Sequence, residues 1–359
     1  MSFLNFGPIA SYLGRGKASI TIPTMDGAFR SNDLLENADL YVDQQGADCL
    51  AIADDHLFLS AGNQVFELAD KAKETIATFD SEITALAAEG SSIAVGLASG
   101  GVEIKGGSYE GHYLSDVKCP TAILLQKNRM IVAEGADHLA PGDWARDLLE
   151  RGHSGQIISV DLKTGKSEKL ANGAAWASGL AETSDGKIIV SQSWRHCLSN
   201  VDDLNKEKSL CHNLPGYPSR ISPASDGGYW LAIFGMRTQL IEFILREKQF
   251  RKQMLKTVPP EYWVAPALVS RENFLDPMQQ GAVKQLGIKK PWAPPRSYGL
   301  VVKLDTDFQP QYSLHSRVGG LRHGVTSAVE KDGMLYVVAR GAGQVLALNL
   351  SAIEGDIVQ

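Results

Sequence analysis

The sequence predicts an all-β protein, a single six-bladed β-propeller with a helical insertion in blade five, and three observations carry that reading. First, a short polar turn leads at once into a strand six times: before His56–Leu59, Ile93–Val95, Met130–Val132, Ile188–Val190, Tyr229–Leu231 and Met334–Val337. Gly, Asp or Asn in each turn reaches the positive φ that tight hairpins need, and the strands hold residues that suit a pleated surface. Second, the copies recur roughly 35 to 60 residues apart with one larger gap, the spacing of propeller blades. Third, the larger gap loses period two and takes on helical spacing.

In chain order, residues 1–45 hold one clear strand, Ala18-Ser19-Ile20-Thr21-Ile22, and are expected to complete the last blade and remove its free edge. Blades one and two follow over about 46–80 and 81–116, with Gly62–Leu68 and Gly100–Ile104 as outgoing strands. Blade three, about 117–171, carries an insertion from Gly135 to Gly155 in which Asp143–Glu150 reads as a helix with Trp144 and Leu148 on one face. Blade four spans about 172–214. Blade five starts near Tyr217 and is interrupted over 237–295. There Leu240, Ile241, Phe243, Ile244, Leu245 and Phe250 mark a basic helix ended by Pro259-Pro260, and a second helical piece is expected over Arg271–Leu286. Strand pattern returns at Tyr298–Asp305, and blade six is expected from about Gln311 to Leu350. The insertion reads as a lid or an interaction element for self-association, as a helix that simply covers the propeller flank, or as a membrane-surface element.

Composition narrows the function classes. With 44% hydrophobic and 21% charged residues over 359 positions, the chain resembles an ordinary globular protein, and a net charge of −6 argues against a nucleic-acid surface. No apolar run is long enough to span a membrane, and Met1–Ala10 makes a poor signal peptide. Cys49, Cys119, Cys197 and Cys211 form no C-x-x-C pair, and Cys197 and Cys211 read as reduced thiols on neighbouring strands of a cytoplasmic protein. No P-loop, dinucleotide fingerprint, H-E-x-x-H or G-x-S-x-G motif is present.

The stretch Leu214-Pro215-Gly216-Tyr217-Pro218-Ser219-Arg220-Ile221, followed by Ser225–Ala232, resembles the strictosidine synthase-like family, which stands with gluconolactonases and paraoxonases among six-bladed propellers. Asp143–Gly155, Ala174–Val190 and Gly324–Tyr336 agree with it in order and spacing. The resemblance implies a pocket at one end of the axis and, in hydrolytic relatives, a calcium ion held by a Glu and several Asn or Asp residues. Here those positions fall on Asp48, Thr121, Ser178 and Ser219, with Arg220 beside them. One carboxylate, three hydroxyls and a guanidinium are a poor ligand set for an ion that wants six to eight oxygens, so no cofactor is expected and axial calcium is expected to be weak or absent. The catalytic Glu of the alkaloid-forming branch falls on Thr326, whose hydroxyl cannot abstract the proton that ring closure requires.

What remains at the axis is a candidate site of its own. Asp48 and His323 are expected to activate water, with Arg220 stabilising an oxyanion. Thr121, Ser178, Ser219, Thr326 and Trp176 are expected to bind substrate, with Arg195 and Glu134 one strand further on. For His323 the competing reading is a rim histidine bonded to backbone; for Arg220 it is an ion pair with Asp48 that replaces the lost metal. His138 is read as bordering the pocket, and His153 and His315 as surface turns. The sequence therefore favours a metal-independent lactone or ester hydrolase. Its alternatives are a non-catalytic small-molecule-binding propeller and, less favoured, a carbon–nitrogen bond-forming enzyme.

Overall fold

Each of the six turn–strand units forms the second strand of a separate antiparallel sheet: His56–Ala61, Ser92–Leu97, Arg129–Glu134, Ile188–Gln192, Tyr229–Met236 and Met334–Ala339. The structure is a computed structural model and describes residues 22–204, 209–269, 284–285, 288–289 and 297–357. The innermost strands are Ala47–Ala53, Ile83–Glu89, Pro120–Gln126, Ala177–Glu182, Gly216–Pro223 and Val325–Lys331, and they contact one another in a closed cycle. The chain is a six-bladed β-propeller. Asp54, Gly90, Gly186, Gly227 and Asp332 supply the positive φ of five turns, whereas the Lys127-Asn128 turn closes without one.

Packing follows from the blade arrangement. A sheet between two others buries both faces, so its central strand is apolar throughout rather than alternating. Six apolar clusters fill the six seams. One joins Leu50 and Leu59 of blade one to Val329 and Val338 of blade six; another joins Ala94 and Ile104 of blade two to Ile123 and Met130 of blade three. All four cysteines are free and buried. Burial pushes the Cys119 and Cys211 thiols up to about 12, which leaves them unreactive as nucleophiles.

Several expectations are corrected. The strand that pairs with the last strand of blade six, Gln344–Asn349, is Asp39–Asp43. Ile22 is not in a strand, and Ala18–Thr21 lie outside the described residues. Pro310–Ser316 is the outer strand of blade five, not the start of blade six; after a long insertion, local pattern alone cannot tell which sheet a returning strand rejoins. His315 lies on that strand with its side chain buried, between Ser313 Oγ (2.7 Å) and the Tyr298 hydroxyl (3.0 Å).

The blade-three insertion contains helix α1, Trp144–Glu150. The basic segment of blade five is two helices, α2 (Gln239–Arg246) and α3 (Lys248–Thr257), because Glu247 leaves the helical region at ψ 79°. Thr238 caps α2 by accepting from the Ile241 amide. Leu149 of α1 packs against Ile244 and Met254, while Leu148 packs against Tyr217 and Phe234. The α1 helix is thus held between the propeller and the insertion. The expected helix over Arg271–Leu286 falls almost wholly outside the described residues. No helix among the described residues is long and apolar enough to cross a membrane.

Candidate functional site

Every innermost strand carries a β-bulge near its first residues, where the pairing register skips Asp48, Thr84, Thr121, Ser178, the pair Ser219-Arg220, and Thr326 in blades one to six. A bulge re-aims a side chain and removes backbone groups from the ladder. Those carbonyls must then find donors elsewhere. The hydroxyls provide them from one blade to the next. Thr84 Oγ1 donates to Pro120 O (2.6 Å), Thr121 to Ala177 O (2.5 Å), Ser178 to Pro218 O (2.8 Å), Ser219 to Thr326 O (3.0 Å) and Thr326 to Asp48 O (2.6 Å). Gly179 belongs to this construction, since a Cβ there would meet Ser219 O at 2.5 Å.

Asp48 breaks the pattern because a carboxylate only accepts. Thr84 O would lack a donor, and Arg220 reaches across from blade five to supply one (Nη2 to Thr84 O, 2.7 Å). The same nitrogen donates to Asp48 Oδ2 at 2.6 Å, while Arg340 Nη1 donates to Asp48 Oδ1 at 2.7 Å. Burial alone would raise the Asp48 carboxyl, but the two guanidiniums outweigh it and hold the group below its ordinary value. Burial likewise disfavours the Arg220 charge, and Asp48 more than restores it. These residues do not fit a calcium ion. Asp48 is the one carboxylate in the ring, a guanidinium already engages it, and among the described residues no group of three His, Cys, Asp or Glu side chains is arranged to hold a metal ion.

Above the ring lies a cavity of about 410 Å³. Its floor is Asp48, Thr84, Thr121, Ser178, Ser219, Arg220 and Thr326, with Arg340 and Glu82 toward one side. Trp144, Trp176, Phe234 and Leu268 give it apolar walls. Trp194 lies behind them, stacked on Trp176 at 5.4 Å and hydrogen-bonded to Asp147 Oδ2 (2.6 Å). Trp176 holds φ 57°, which is rare for an aromatic residue. Leu268 arrives from the blade-five insertion and presses on blade six, where a Cβ on Gly341 would meet its carbonyl at 2.1 Å.

Of the ten residues expected at the site, the structure brings seven together: Asp48, Arg220, Thr121, Ser178, Ser219, Thr326 and Trp176. Three lie elsewhere. His323 is 2% exposed, with Nδ1 on Ser297 Oγ (2.7 Å) and Nε2 on Arg317 O (3.0 Å), a loop histidine whose nitrogens are both engaged. Arg195 turns away to Gln192 Oε1 (2.6 Å) and Leu204 O (3.1 Å). Glu134 is buried against the Lys118 amide (2.9 Å), and burial raises its carboxyl. His138 is exposed, paired with Asp137. Sequence reasoning missed Thr84, Arg340, Glu82 and Phe234. Thr84 was findable, since Ile83-Thr84 occupies in blade two the place of Pro120-Thr121 in blade three. Arg340 follows the end of its blade's second strand, where nothing in its neighbours marks an inward side chain.

No family model matches the chain. It is 23% identical over 220 residues to an adipocyte plasma membrane-associated protein of Salmo salar, covering 59% of this chain and 46% of that protein. It is 23% identical over 161 residues to the strictosidine synthase-like 6 protein of Arabidopsis thaliana, covering 44% of this chain and 43% of that protein. Each match takes in less than half of the relative's length. The solved structure of a gluconolactonase-like protein superposes with a TM-score of 0.51 at 10% identity, covering 87% of this chain and 91% of that one, and shows the shared fold. One of these relatives bears the strictosidine synthase-like name that the sequence motifs point to, and the fold is shared with the gluconolactonase-like structure.

Proposed function

We propose that the chain is a small-molecule-binding propeller, and that its axial cavity takes a flat, largely apolar molecule bearing one anionic or hydrogen-bond-accepting group. The observation that carries this reading is the state of the floor: the single carboxylate is held by two guanidiniums, and the ring hydroxyls direct their protons to backbone carbonyls. Such a floor orients a ligand. It does not offer a group poised to take a proton. The Arg340 side chain is 38% exposed and is the natural partner for an acceptor on the ligand. The aromatic walls and the strained Trp176 backbone suit a planar body, and the volume lies in the range of small-molecule pockets.

The lactone or ester hydrolase that the sequence favours needs a base for water. His323 has no place at the cavity, and an Asp48 held below its ordinary pKa is a weak one. Thermal-shift titration with aromatic carboxylates, alongside turnover assays with lactones and aryl esters, separates the two readings. The expected outcome is stabilisation by the carboxylates, weakened about tenfold or more in affinity by Arg340→Ala or Trp176→Ala, the loss of a charged hydrogen bond or an aromatic contact. Turnover that disappears in Asp48→Asn would instead restore the hydrolase.

A further inference from the structure

We infer that the Arg220 guanidinium is the resident cation of the hub, doing permanently and covalently what a dissociable axial ion would otherwise do. Its two terminal nitrogens reach four oxygens: Asp48 O (3.2 Å), Asp48 Oδ2 (2.6 Å), Thr84 O (2.7 Å) and Thr326 O (3.4 Å). These oxygens come from the innermost strands of blades one, two and six, and Arg220 itself comes from blade five. One cation therefore ties four blades together. Its partners are a carboxylate and three backbone carbonyls, the hard oxygen donors a divalent ion gathers. The bulge of blade five omits two residues from its pairing, Ser219 and Arg220. Ser219 continues the hydroxyl ring, and Arg220 is the additional side chain that the second skipped position delivers to the axis. A guanidinium suits this task better than an ammonium, because its planar fork spans several acceptors at once. This role of Arg220 is independent of what the cavity above binds.

The test is thermal unfolding with and without calcium. Wild type is expected to melt at the same temperature in chelator and in millimolar calcium. Arg220→Ala leaves Asp48 buried without its main partner, and its melting temperature is expected to fall by about 10 °C. Calcium or methylguanidinium should then raise it, and the response should vanish in Arg220→Ala/Asp48→Asn. A chelator that lowers the wild-type melting temperature would overturn the inference, as would an Arg220→Ala protein that neither cation stabilises. If Arg220→Ala does not fold, Arg220→Lys carries the test: it keeps the charge but not the fork. It should melt below wild type, and an equal melting temperature would count against a resident guanidinium.

Discussion

At the residue scale, the hub shows how one substitution type forces another. Five hydroxyls can close a ring of inter-blade hydrogen bonds, but an aspartate in the sixth place cannot donate, so its insertion creates both an unpaired carbonyl and a buried charge. Arg220 answers both. His315 offers a separate consequence. Burial lowers its pKa to about 4 from an ordinary 6.5, so it is neutral in the fold. Below pH 6.5 the unfolded chain takes up a proton that the folded chain refuses until about pH 4. Stability from this group is thus complete above 6.5 and drains away as pH falls toward 4, by on the order of 3 kcal/mol. Chemical denaturation of His315→Gln across that range should show a flatter dependence than wild type. Parallel curves would mean that other groups set the acid sensitivity. Nothing in the polar neighbours of His315 distinguishes it from a turn histidine, because its burial comes from packing under Tyr298 and the 22–38 segment, which touches it through Asn32 and Leu35.

Among the elements, α1 is the one whose surroundings matter most. Its apolar face was legible from the spacing of Trp144 and Leu148, and those residues meet Phe234 and Tyr217 as that spacing requires. The insertion that covers its other side was legible as helical and basic. Yet one of its basic residues is not on the solvated face: Arg251 is buried and donates to Leu149 O, a carbonyl at the C-terminal end of α1 that has no partner within the helix. Arg251→Ala should therefore cost about 2 kcal/mol through the orphaned carbonyl and the lost packing. Hydrogen exchange should rise in α1, α2 and α3 while the blades stay protected. Uniform loss of protection would show that the insertion and the propeller open together.

For the molecule as a whole, closure is the decisive event. Blade six is completed by Asp39–Asp43, so the chain's beginning and end share one sheet. Deleting residues 1–43 would bare the edge of Gln344–Asn349, an apolar strand with no charged guard of its own. The expected result is loss of soluble monomer, read by light scattering on the purified variant. A truncated protein that stays monomeric with an unchanged melting temperature would show that the clasp is dispensable.

Blade number and the helical character of the insertion's first part were determined by the sequence alone, since turn chemistry and hydrophobic period are local properties, while most of the ring of small polar residues was reached through the family resemblance. Only the tertiary structure decided which side chains meet. Arg220 and Asp48 lie 172 positions apart, and Arg340 and Asp48 lie 292 apart. Their contact depends on six blades closing a circle, a condition that no short stretch of chain records. The same closure leaves His323 buried away from the cavity and brings Arg340 to it.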